Sequence, residues 1–264
     1  MTSAPAQLRD PFVSGIREHT FTSPYDNTTQ TFLEKDFRPT DDRLAPLVVI
    51  YLHGAASHQD QGMSAGIYSG AFERWRDTLA NRQAIYICPE YRGGSWMGPA
   101  AELDLKQIIH CLRERYHIRN LVLAGGSMGG TSALIFASRF PDFIDGVIAL
   151  CPATDPAAMF DSFPEQFRAS YGGSPMEKPE VYQERRSRDR TEILASLPLA
   201  IVHGSGDKVI PVDHSRILVE GLREKGGHVY YVEIPEGDHD SVLQIPLSEL
   251  LDSLSRAPGD RNIA

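Results

Sequence analysis

Gly125-Gly126-Ser127-Met128-Gly129-Gly130 is the most informative stretch of this chain, because it places a serine between a predicted buried strand, Leu121–Ala124, and a predicted helix that begins near Met128. A strand that turns so sharply into a helix leaves no room for side chains beside the turn, so glycine is needed at positions 125 and 129. The serine at the apex then projects its hydroxyl away from the backbone in a strained geometry. The pattern favours a nucleophilic serine; the alternative is a glycine-rich turn that only packs a helix on a strand.

The rest of the chain alternates short apolar runs with amphipathic stretches. Most of these runs are apolar throughout, as in parallel strands that are covered on both faces. The predicted strands are Leu47–Leu52, Ala84–Cys88, Leu121–Ala124, Gly146–Leu150, Leu199–Val202 and Val229–Ile234. Between strands, leucine and isoleucine recur at helical spacing, for example within 105–112 and 243–254. This alternation predicts an α/β fold with a mostly parallel, doubly wound sheet flanked by helices.

Two regions depart from the alternation. The opening segment to about Pro39 alternates polar and apolar residues and predicts one or two antiparallel edge strands. Residues 152–191 carry no strand pattern but many aromatic and methionine side chains, and they are too long for an ordinary connection in such a sheet. We expect a small helical cap there; the alternative is a surface excursion of the sheet. No internal repeat or low-complexity linker interrupts residues 1–264, which we expect to form a single domain.

Composition and charge limit the possible partners. The chain has 264 residues, of which 41% are hydrophobic, and a formal net charge of −9. The negative charge argues against a nucleic-acid partner and provides no basic surface for a membrane. No run approaches the roughly 18 apolar residues of a membrane span, and the first residues lack the apolar stretch of a secretion signal. These features argue against nucleic-acid and membrane partners and leave the oligomeric state open.

The cysteines and histidines give no pattern typical of a metal site. The three cysteines, Cys88, Cys111 and Cys151, lie in apolar surroundings, so we expect core side chains in a reducing compartment rather than a disulfide framework. No Cys-x-x-Cys pair and no His/Asp cluster has the spacing of metal ligands. We therefore expect a cytoplasmic protein with no metal and no cofactor.

Asp207 and His239 are the residues predicted to complete a catalytic triad with Ser127. A serine hydroxyl becomes a good nucleophile only when a base takes its proton and an acid orients that base. Asp207 lies in a glycine-rich loop after Leu199–Val202, and His239 lies in the turn after Val229–Ile234. The carboxyl ends of parallel strands meet at one edge of a sheet, and the chain order serine, carboxylate, histidine suits this arrangement.

Other acids and histidines compete for these roles. Asp155 follows the preceding strand and could reach the histidine from a neighbouring loop. Asp238 and Asp240 flank His239, but adjacent side chains point apart, so we expect these two residues to form the turn. Further histidines near strand ends or turns are expected to be structural: His53, His58, His203 and His214.

Backbone N–H groups of Met128 and Ala55 are the predicted oxyanion donors. Met128 begins a helix, whose N-terminal amides favour negative charge. Ala55 follows His53-Gly54 at the exit of the first parallel strand, where small residues let the backbone approach a substrate oxygen; the alternative is a tight turn that simply needs small residues.

Three further side chains are predicted to contact substrate. Arg92 and Trp96 lie in the loop after Ala84–Cys88, at the same predicted sheet edge, and Phe160 lies in the predicted cap. A structural ion pair is the alternative role for Arg92.

Taken together, these motifs resemble the prolyl-oligopeptidase-like or dienelactone-hydrolase-like serine hydrolases of the α/β-hydrolase superfamily, over about residues 46–245. Besides the segment around Ser127, the matching stretches are His53-Gly54, Tyr91-Arg92-Gly93-Gly94, Tyr171-Gly172-Gly173-Ser174-Pro175, His203–Pro211 and Gly237-Asp238-His239. The resemblance implies the α/β-hydrolase fold, with nucleophile, acid and base roles for Ser127, Asp207 and His239.

The chain also departs from these families. Prolyl-type peptidases carry a large N-terminal propeller, for which the residues before Leu47 are too few, and the Ser-Pro that often follows their cap is Ser187-Arg188 here. Dienelactone hydrolases have cysteine where this chain has Ser127. These departures favour a carboxylesterase-type enzyme that cleaves a small-molecule ester through an acyl-enzyme. The alternatives are an exopeptidase or amidase with the same triad and, in a different class, a non-catalytic ligand-binding protein.

Overall fold

An eight-stranded sheet forms the centre of the molecule. The computed structural model describes residues 14–40, 42–63 and 68–255. The strands in these ranges are β1 (Ile16–Thr22), β2 (Thr29–Asp36), β3 (Leu44–Ala45), β4 (Val48–Leu52), β5 (Ile85–Pro89), β6 (His117–Ile118), β7 (Leu121–Gly126), β8 (Gly146–Leu150), β9 (Leu199–Gly204) and β10 (Val229–Ile234). In this part of the chain the large sheet has the order β1-β2-β5-β4-β7-β8-β9-β10. β2 is antiparallel to β1 and β5, and the other neighbouring strands are parallel, which confirms the predicted fold class.

The predicted strands agree with the structure to within two residues at each end. Two of them, β8 and β10, have the predicted bounds. The opening segment supplies two antiparallel strands, β1 and β2, as expected. Of these two, only β1 lies at an edge of the sheet, because it covers the outer side of β2. Residues 1–13 of that segment lie outside the described residues. The two-residue strands β3 and β6, which pair in a separate small sheet, were too short to predict.

Helices cover both faces of the sheet. They are α1 (Ser69–Asn81), α2 (Pro99–Arg115), α3 (Met128–Arg139), α4 (Pro164–Tyr171), α5 (Pro179–Glu184), α6 (Thr191–Leu194), α7 (Asp213–Glu224) and α8 (Leu247–Leu254). Alternate side chains of β4 enter two apolar clusters, because successive strand residues point to opposite faces. Ile50 joins one cluster with α2 and α3, whereas Val49 joins the other with α1 and α8. No helix within the described ranges is both long and apolar enough to cross a bilayer.

The segment predicted to form a cap contains α4, α5 and two short 3-10 turns, Pro156–Ser162 and Ser187–Asp189. Its aromatic side chains pack on the loop before α2: the Phe167 ring stacks on Trp96 with centroids 4.9 Å apart. Arg185 is buried and ties the segment to the body of the protein, since its guanidinium lies 2.8 Å from the Glu102 carboxylate and donates to the Met97 carbonyl. The segment is therefore fixed to α2 by apolar and ionic contacts.

Candidate active site

Ser127 sits at a strained junction between β7 and α3. Its backbone has φ 57° and ψ −122°, a conformation that costs a non-glycine residue about 1–3 kcal/mol. The surrounding backbone holds it there: the Ser127 N–H donates to the Leu150 carbonyl at 2.8 Å. A Cβ atom at Gly129 would lie 1.9 Å from the Leu52 carbonyl oxygen, so no larger residue fits where α3 begins beside β4. The glycine predicted at this position is thus required by close backbone contact.

Asp207 and His239 form a hydrogen-bonded pair at the carboxyl end of β9 and β10. The buried Asp207 carboxylate accepts N–H groups of Val209 and Ile210 through Oδ1, at 2.8 and 3.0 Å. Its Oδ2 lies 2.7 Å from His239 Nδ1. Because the carboxylate can only accept, the Nδ1–H group of His239 donates to it, which leaves Nε2 as the ring nitrogen that could take a proton from Ser127.

His203 lies beneath this pair and was predicted to be structural. Its Nε2 donates to the Ile210 carbonyl at 2.9 Å, and its Nδ1 accepts from the Ser215 hydroxyl at 2.7 Å. Burial lowers the pKa of His203. The His203 ring is therefore neutral at physiological pH, and it adds no positive charge beside the Asp207 carboxylate, which lies 3.4 Å away.

One cavity of about 280 Å³ brings Ser127, His239 and Ala55 together. Most of its other lining residues are aromatic, aliphatic or small: Tyr51, Gly54, Ala56, Tyr68, Phe72, Gly126, Cys151, Phe163, Val209, Val242 and Leu243. Gln61, Gln166 and Asp240 add polar groups. In the described residues no hydrogen bond joins Ser127 Oγ to His239 Nε2. Such bonds are often long without substrate and tighten in the reacting complex.

Cys151 contacts Nε2 of His239, the ring nitrogen that Ser127 would use. The sequence did not predict this contact. The Cys151 Sγ lies 3.9 Å from His239 Nε2. The residue directly follows β8 with φ 40°, which turns the side chain toward the cavity. Burial raises the pKa of the Cys151 thiol, so sulfur stays protonated at neutral pH. A position at the end of a parallel strand was the available sequence signal, but the apolar neighbours suggested a core residue.

Cys151, Asp207 and His239 are also a donor set that could hold a metal ion. One ligand atom from each lies within 4.8 Å of the others. Thiolate, carboxylate and imidazole together suit a soft divalent ion such as Zn²⁺. Binding would have to displace the thiol proton and compete with the existing bond between Asp207 and His239.

Of the two predicted oxyanion donors, Ala55 lines the cavity with Ser127, and Met128 directly follows Ser127 in the chain. Met128 is the first residue of α3, where an amide N–H has no acceptor within the helix. Ala55 lines the cavity directly, and the preceding amide of Gly54 is already occupied, because it donates to Gln61 Oε1 at 2.9 Å. These positions suit the role predicted for Ala55 and Met128.

Arg92, Trp96 and Phe160 do not line the cavity that contains Ser127, so their placement gives no support to the predicted substrate contacts. The Arg92 guanidinium pairs with Asp104 at 2.5 Å and with Asp26 at 2.6 Å, the structural alternative considered for it.

The two aromatic residues are held elsewhere by the core. Trp96 is buried with φ 46°, which directs its ring toward Phe167, and its indole N–H donates to Gln166. Phe160 packs against Phe167 and Tyr182. Phe163, directly before α4, and Gln166, within α4, line the cavity instead.

Asp155, the competing acid, is paired elsewhere. Its carboxylate lies 2.5 Å from Arg188 and 3.1 Å from Arg186, and it caps the following 3-10 turn through the Ala157 N–H. Of the acids considered for orienting the histidine, Asp207 is the one whose carboxylate is hydrogen-bonded to the His239 ring.

Comparisons with known proteins agree with this geometry at the level of fold. A putative dipeptidyl aminopeptidase IV from Bacteroides ovatus is 17% identical with a TM-score of 0.71; the match covers 91% of this chain and 36% of that one. A puromycin-hydrolyzing peptidase from Mycobacterium tuberculosis is 18% identical with a TM-score of 0.70, covering 92% of this chain and 40% of that one. This chain therefore spans well under half the length of both peptidases.

A third solved structure, a ferulic acid esterase, is matched over nearly its whole length. It is 15% identical with a TM-score of 0.68, and the match covers 91% of this chain and 97% of that one. No curated protein sequence matches the chain. The sequence model of the prolyl oligopeptidase family matches residues 71–245. This match includes Ser127, Asp207 and His239 and covers more than half of the chain, which therefore belongs to the prolyl oligopeptidase family and has the α/β-hydrolase fold.

Proposed function

We propose that this protein hydrolyses carboxylic esters of small molecules, with Ser127 as nucleophile, His239 as general base and acid, and Asp207 as the orienting acid. One observation carries the proposal: an Asp207–His239 pair, bonded at 2.7 Å, borders the same cavity as a serine in a strained turn. The strain is stored at the residue that would react, which is where such conformations are usually retained.

The reaction follows the acyl-enzyme route. His239 Nε2 takes the proton from Ser127 Oγ, which bonds to the ester carbonyl carbon while the carbonyl electrons move to oxygen. The amides of Met128 and Ala55 hold this oxyanion, and such a donor contributes about 3–4 kcal/mol to transition-state stabilisation. His239 then protonates the departing alkoxide. His239 then takes a proton from water as the water oxygen bonds to the acyl carbon. The bond from this carbon to Ser127 Oγ breaks, His239 returns the proton to Oγ, and the acid is released.

The lining of the cavity favours an ester over a peptide. The cavity is lined mainly by aromatic and aliphatic side chains, which suit an apolar acyl or alcohol group. The ferulic acid esterase, matched over 91% of this chain with a TM-score of 0.68, has the same fold, so this architecture is compatible with ester hydrolysis.

The test is release of p-nitrophenol from acetyl, butyryl and octanoyl esters by the wild type, Ser127→Ala and Ser196→Ala. Ser196 is an exposed serine outside the cavity and serves as the matched control. We expect Ser127→Ala to lower kcat/KM by at least about 10³-fold, with little change in Ser196→Ala. Activity that survives in Ser127→Ala would contradict the assigned nucleophile. If the protein cleaves aminoacyl p-nitroanilides faster than these p-nitrophenyl esters, the ester assignment is overturned in favour of an amidase.

A further inference from the structure

Asp240 places a carboxylate on the catalytic cavity without a cationic partner. It lines the same cavity as Ser127 and is exposed, whereas Tyr51 and Phe72 of that lining are buried, so it lies at the outer part of the cavity. Within residues 14–40, 42–63 and 68–255, no lysine, arginine or histidine forms an ion pair with it. No lysine or arginine lines the cavity in this part of the chain either. The negative charge of Asp240 is therefore available to a ligand.

The carboxylate is also held in place. The Tyr68 hydroxyl donates to Asp240 Oδ1 at 2.9 Å, across 172 positions of sequence. Burial, together with the hydrogen bond to Asp240, raises the pKa of Tyr68 to about 12. The phenol thus keeps its proton and donates it in the hydrogen bond to Asp240. A carboxylate clamped in this way loses less conformational freedom when a ligand binds to it.

Aromatic rings complete an environment suited to a cation. Tyr51, Tyr68, Phe72 and Phe163 line the cavity together with Asp240. Aromatic faces attract ammonium groups through the ring quadrupole, and they do so more strongly where water is excluded. A neutral alkyl group would be stabilised by contact with the rings but not by the carboxylate. An ammonium group would be stabilised by both.

We propose that Asp240, clamped by Tyr68, forms with these rings a subsite for a cationic group of the substrate, either a protonated amine or a quaternary ammonium. This inference rests on the proposed function, because it names the substrate class of the same cavity. It also gives the negatively charged protein, with a formal net charge of −9, a partner that its long-range field attracts.

A purely structural role for Asp240 makes a different prediction. If the residue only anchors Tyr68, any hydrogen-bond acceptor suffices, and asparagine supplies one through its side-chain oxygen. Asp240→Asn therefore removes the charge while leaving an acceptor for Tyr68. Asp238→Asn is the matched control: it removes a charge from the other side of His239, at an exposed carboxylate that bonds Ser241 and does not line the cavity.

The experiment compares substrates that differ only in charge. One pair carries the charge in the alcohol: choline butyrate and its neutral analogue 3,3-dimethylbutyl butyrate. The other carries it in the acid: p-nitrophenyl 4-(trimethylammonio)butyrate and p-nitrophenyl 5,5-dimethylhexanoate. The readout is the ratio of kcat/KM for the cationic ester to that for the neutral ester. Comparing this ratio between variants cancels both the intrinsic reactivity of the esters and any change in Ser127.

We expect the ratio for at least one pair to fall about three- to tenfold in Asp240→Asn and to stay at the wild-type value in Asp238→Asn. High salt should reduce the wild-type ratio more than the ratio of Asp240→Asn, which keeps only the attraction from the rest of the protein. Ratios that are equal in the wild type and Asp240→Asn for both pairs would overturn the inference, and hydrolysis of the neutral esters would then leave the proposed function standing.

If no ester is cleaved, a binding measurement can still test the cation subsite independently of the proposed hydrolase function. Calorimetry on Ser127→Ala, with choline butyrate and 3,3-dimethylbutyl butyrate as ligands, requires no turnover. Tighter binding of the cationic ester that is lost in Ser127→Ala/Asp240→Asn supports the subsite even if the hydrolase assignment fails. Equal binding of both esters by the two proteins contradicts it.

Discussion

The hydrogen bond between Asp207 and His239 sets which nitrogen of the imidazole can act as a base. The carboxylate accepts the Nδ1 proton at 2.7 Å, so an asparagine at position 207 would offer an amide N–H and favour the opposite tautomer. Protonated Nε2 could no longer take the Ser127 proton. We expect Asp207→Asn to lower kcat/KM for p-nitrophenyl butyrate by about 10⁴-fold, with the variant still folded, because the asparagine oxygen can accept the loop amides.

Asp155→Asn is the control for this prediction. Its carboxylate is bonded to Arg186 and Arg188 rather than to His239. We expect kcat/KM to stay within about threefold of the wild type, and the cost to appear as about 1 kcal/mol or more in the free energy of unfolding. If Asp155→Asn lost as much activity as Asp207→Asn, the assignment of the acid would be wrong.

Residues directly after parallel strands were the ones whose position could be predicted from sequence. Ser127, Asp207 and His239 all follow apolar runs, and the sheet brings such positions to one edge whatever the loops do. Cys151 and Asp240 lie at the same edge and were interpreted as a core residue and a turn residue. Whether such a side chain faces the cavity depends on local backbone angles, such as φ 40° at Cys151, which composition does not encode.

At the scale of elements, the region around α4 forms one wall of the cavity. Phe163, which precedes α4, lines the cavity and contacts Trp96 with ring centroids 5.0 Å apart. Phe160 lies nearby in sequence but packs on Phe167 and Tyr182 away from the cavity. The two phenylalanines therefore allow the same substitution to be made on and off the cavity wall.

We expect Phe163→Ala to shift acyl preference toward longer chains, because removal of the ring opens space for additional methylenes, each worth about 0.8 kcal/mol when buried. The ratio of kcat/KM for p-nitrophenyl octanoate to that for the butyrate should rise by up to about tenfold. Phe160→Ala should leave this ratio unchanged, although it lowers stability. An equal shift in both variants would mean that the change acts through loosening of the whole segment.

The elements differed in how far sequence could define them. The fully buried strands β4, β5 and β8 appear as uninterrupted apolar runs. The loop before α2, in contrast, contains four non-glycine residues with positive φ, Tyr91, Arg92, Trp96 and Met97. Those angles turn Trp96 into the core and Arg92 toward Asp104. Carboxylates that attract Arg92 from 12 and 66 positions away are a tertiary effect that no local pattern contains.

At the scale of the whole molecule, buried histidines link stability to pH. Burial lowers the pKa values of His203 and His214 below the usual 6.5. The unfolded chain therefore binds more protons than the folded protein as the pH falls through 6.5, and the free energy of unfolding must decrease there. We expect a loss of up to about 1.4 kcal/mol per pH unit for each histidine, measured by urea unfolding between pH 7.5 and 5.5.

Removing one of these histidines should flatten the dependence. In His203→Gln, the free energy of unfolding should change less steeply with pH between 6.5 and 5.5, by the contribution of about one proton. His110→Gln changes an exposed residue of α2 and should leave this slope as in the wild type. If the free energy of unfolding has the same pH dependence in the wild type, His203→Gln and His214→Gln, these two histidines do not cause the loss of stability at low pH.

The crowded turn around Ser127 has a consequence for how this protein can evolve. Contact with the Leu52 carbonyl fixes Gly129, and the neighbouring backbone maintains φ 57° at position 127. The side chain at 127 itself takes no part in holding that shape, because the bonds to Leu150 and Thr131 come from its backbone. A substitution at position 127 can therefore replace the reactive oxygen, for example by sulfur, without a change in the backbone around it. The flanking glycines, in contrast, cannot be replaced by larger residues. New chemistry can be acquired by one substitution at a site whose architecture is inherited intact.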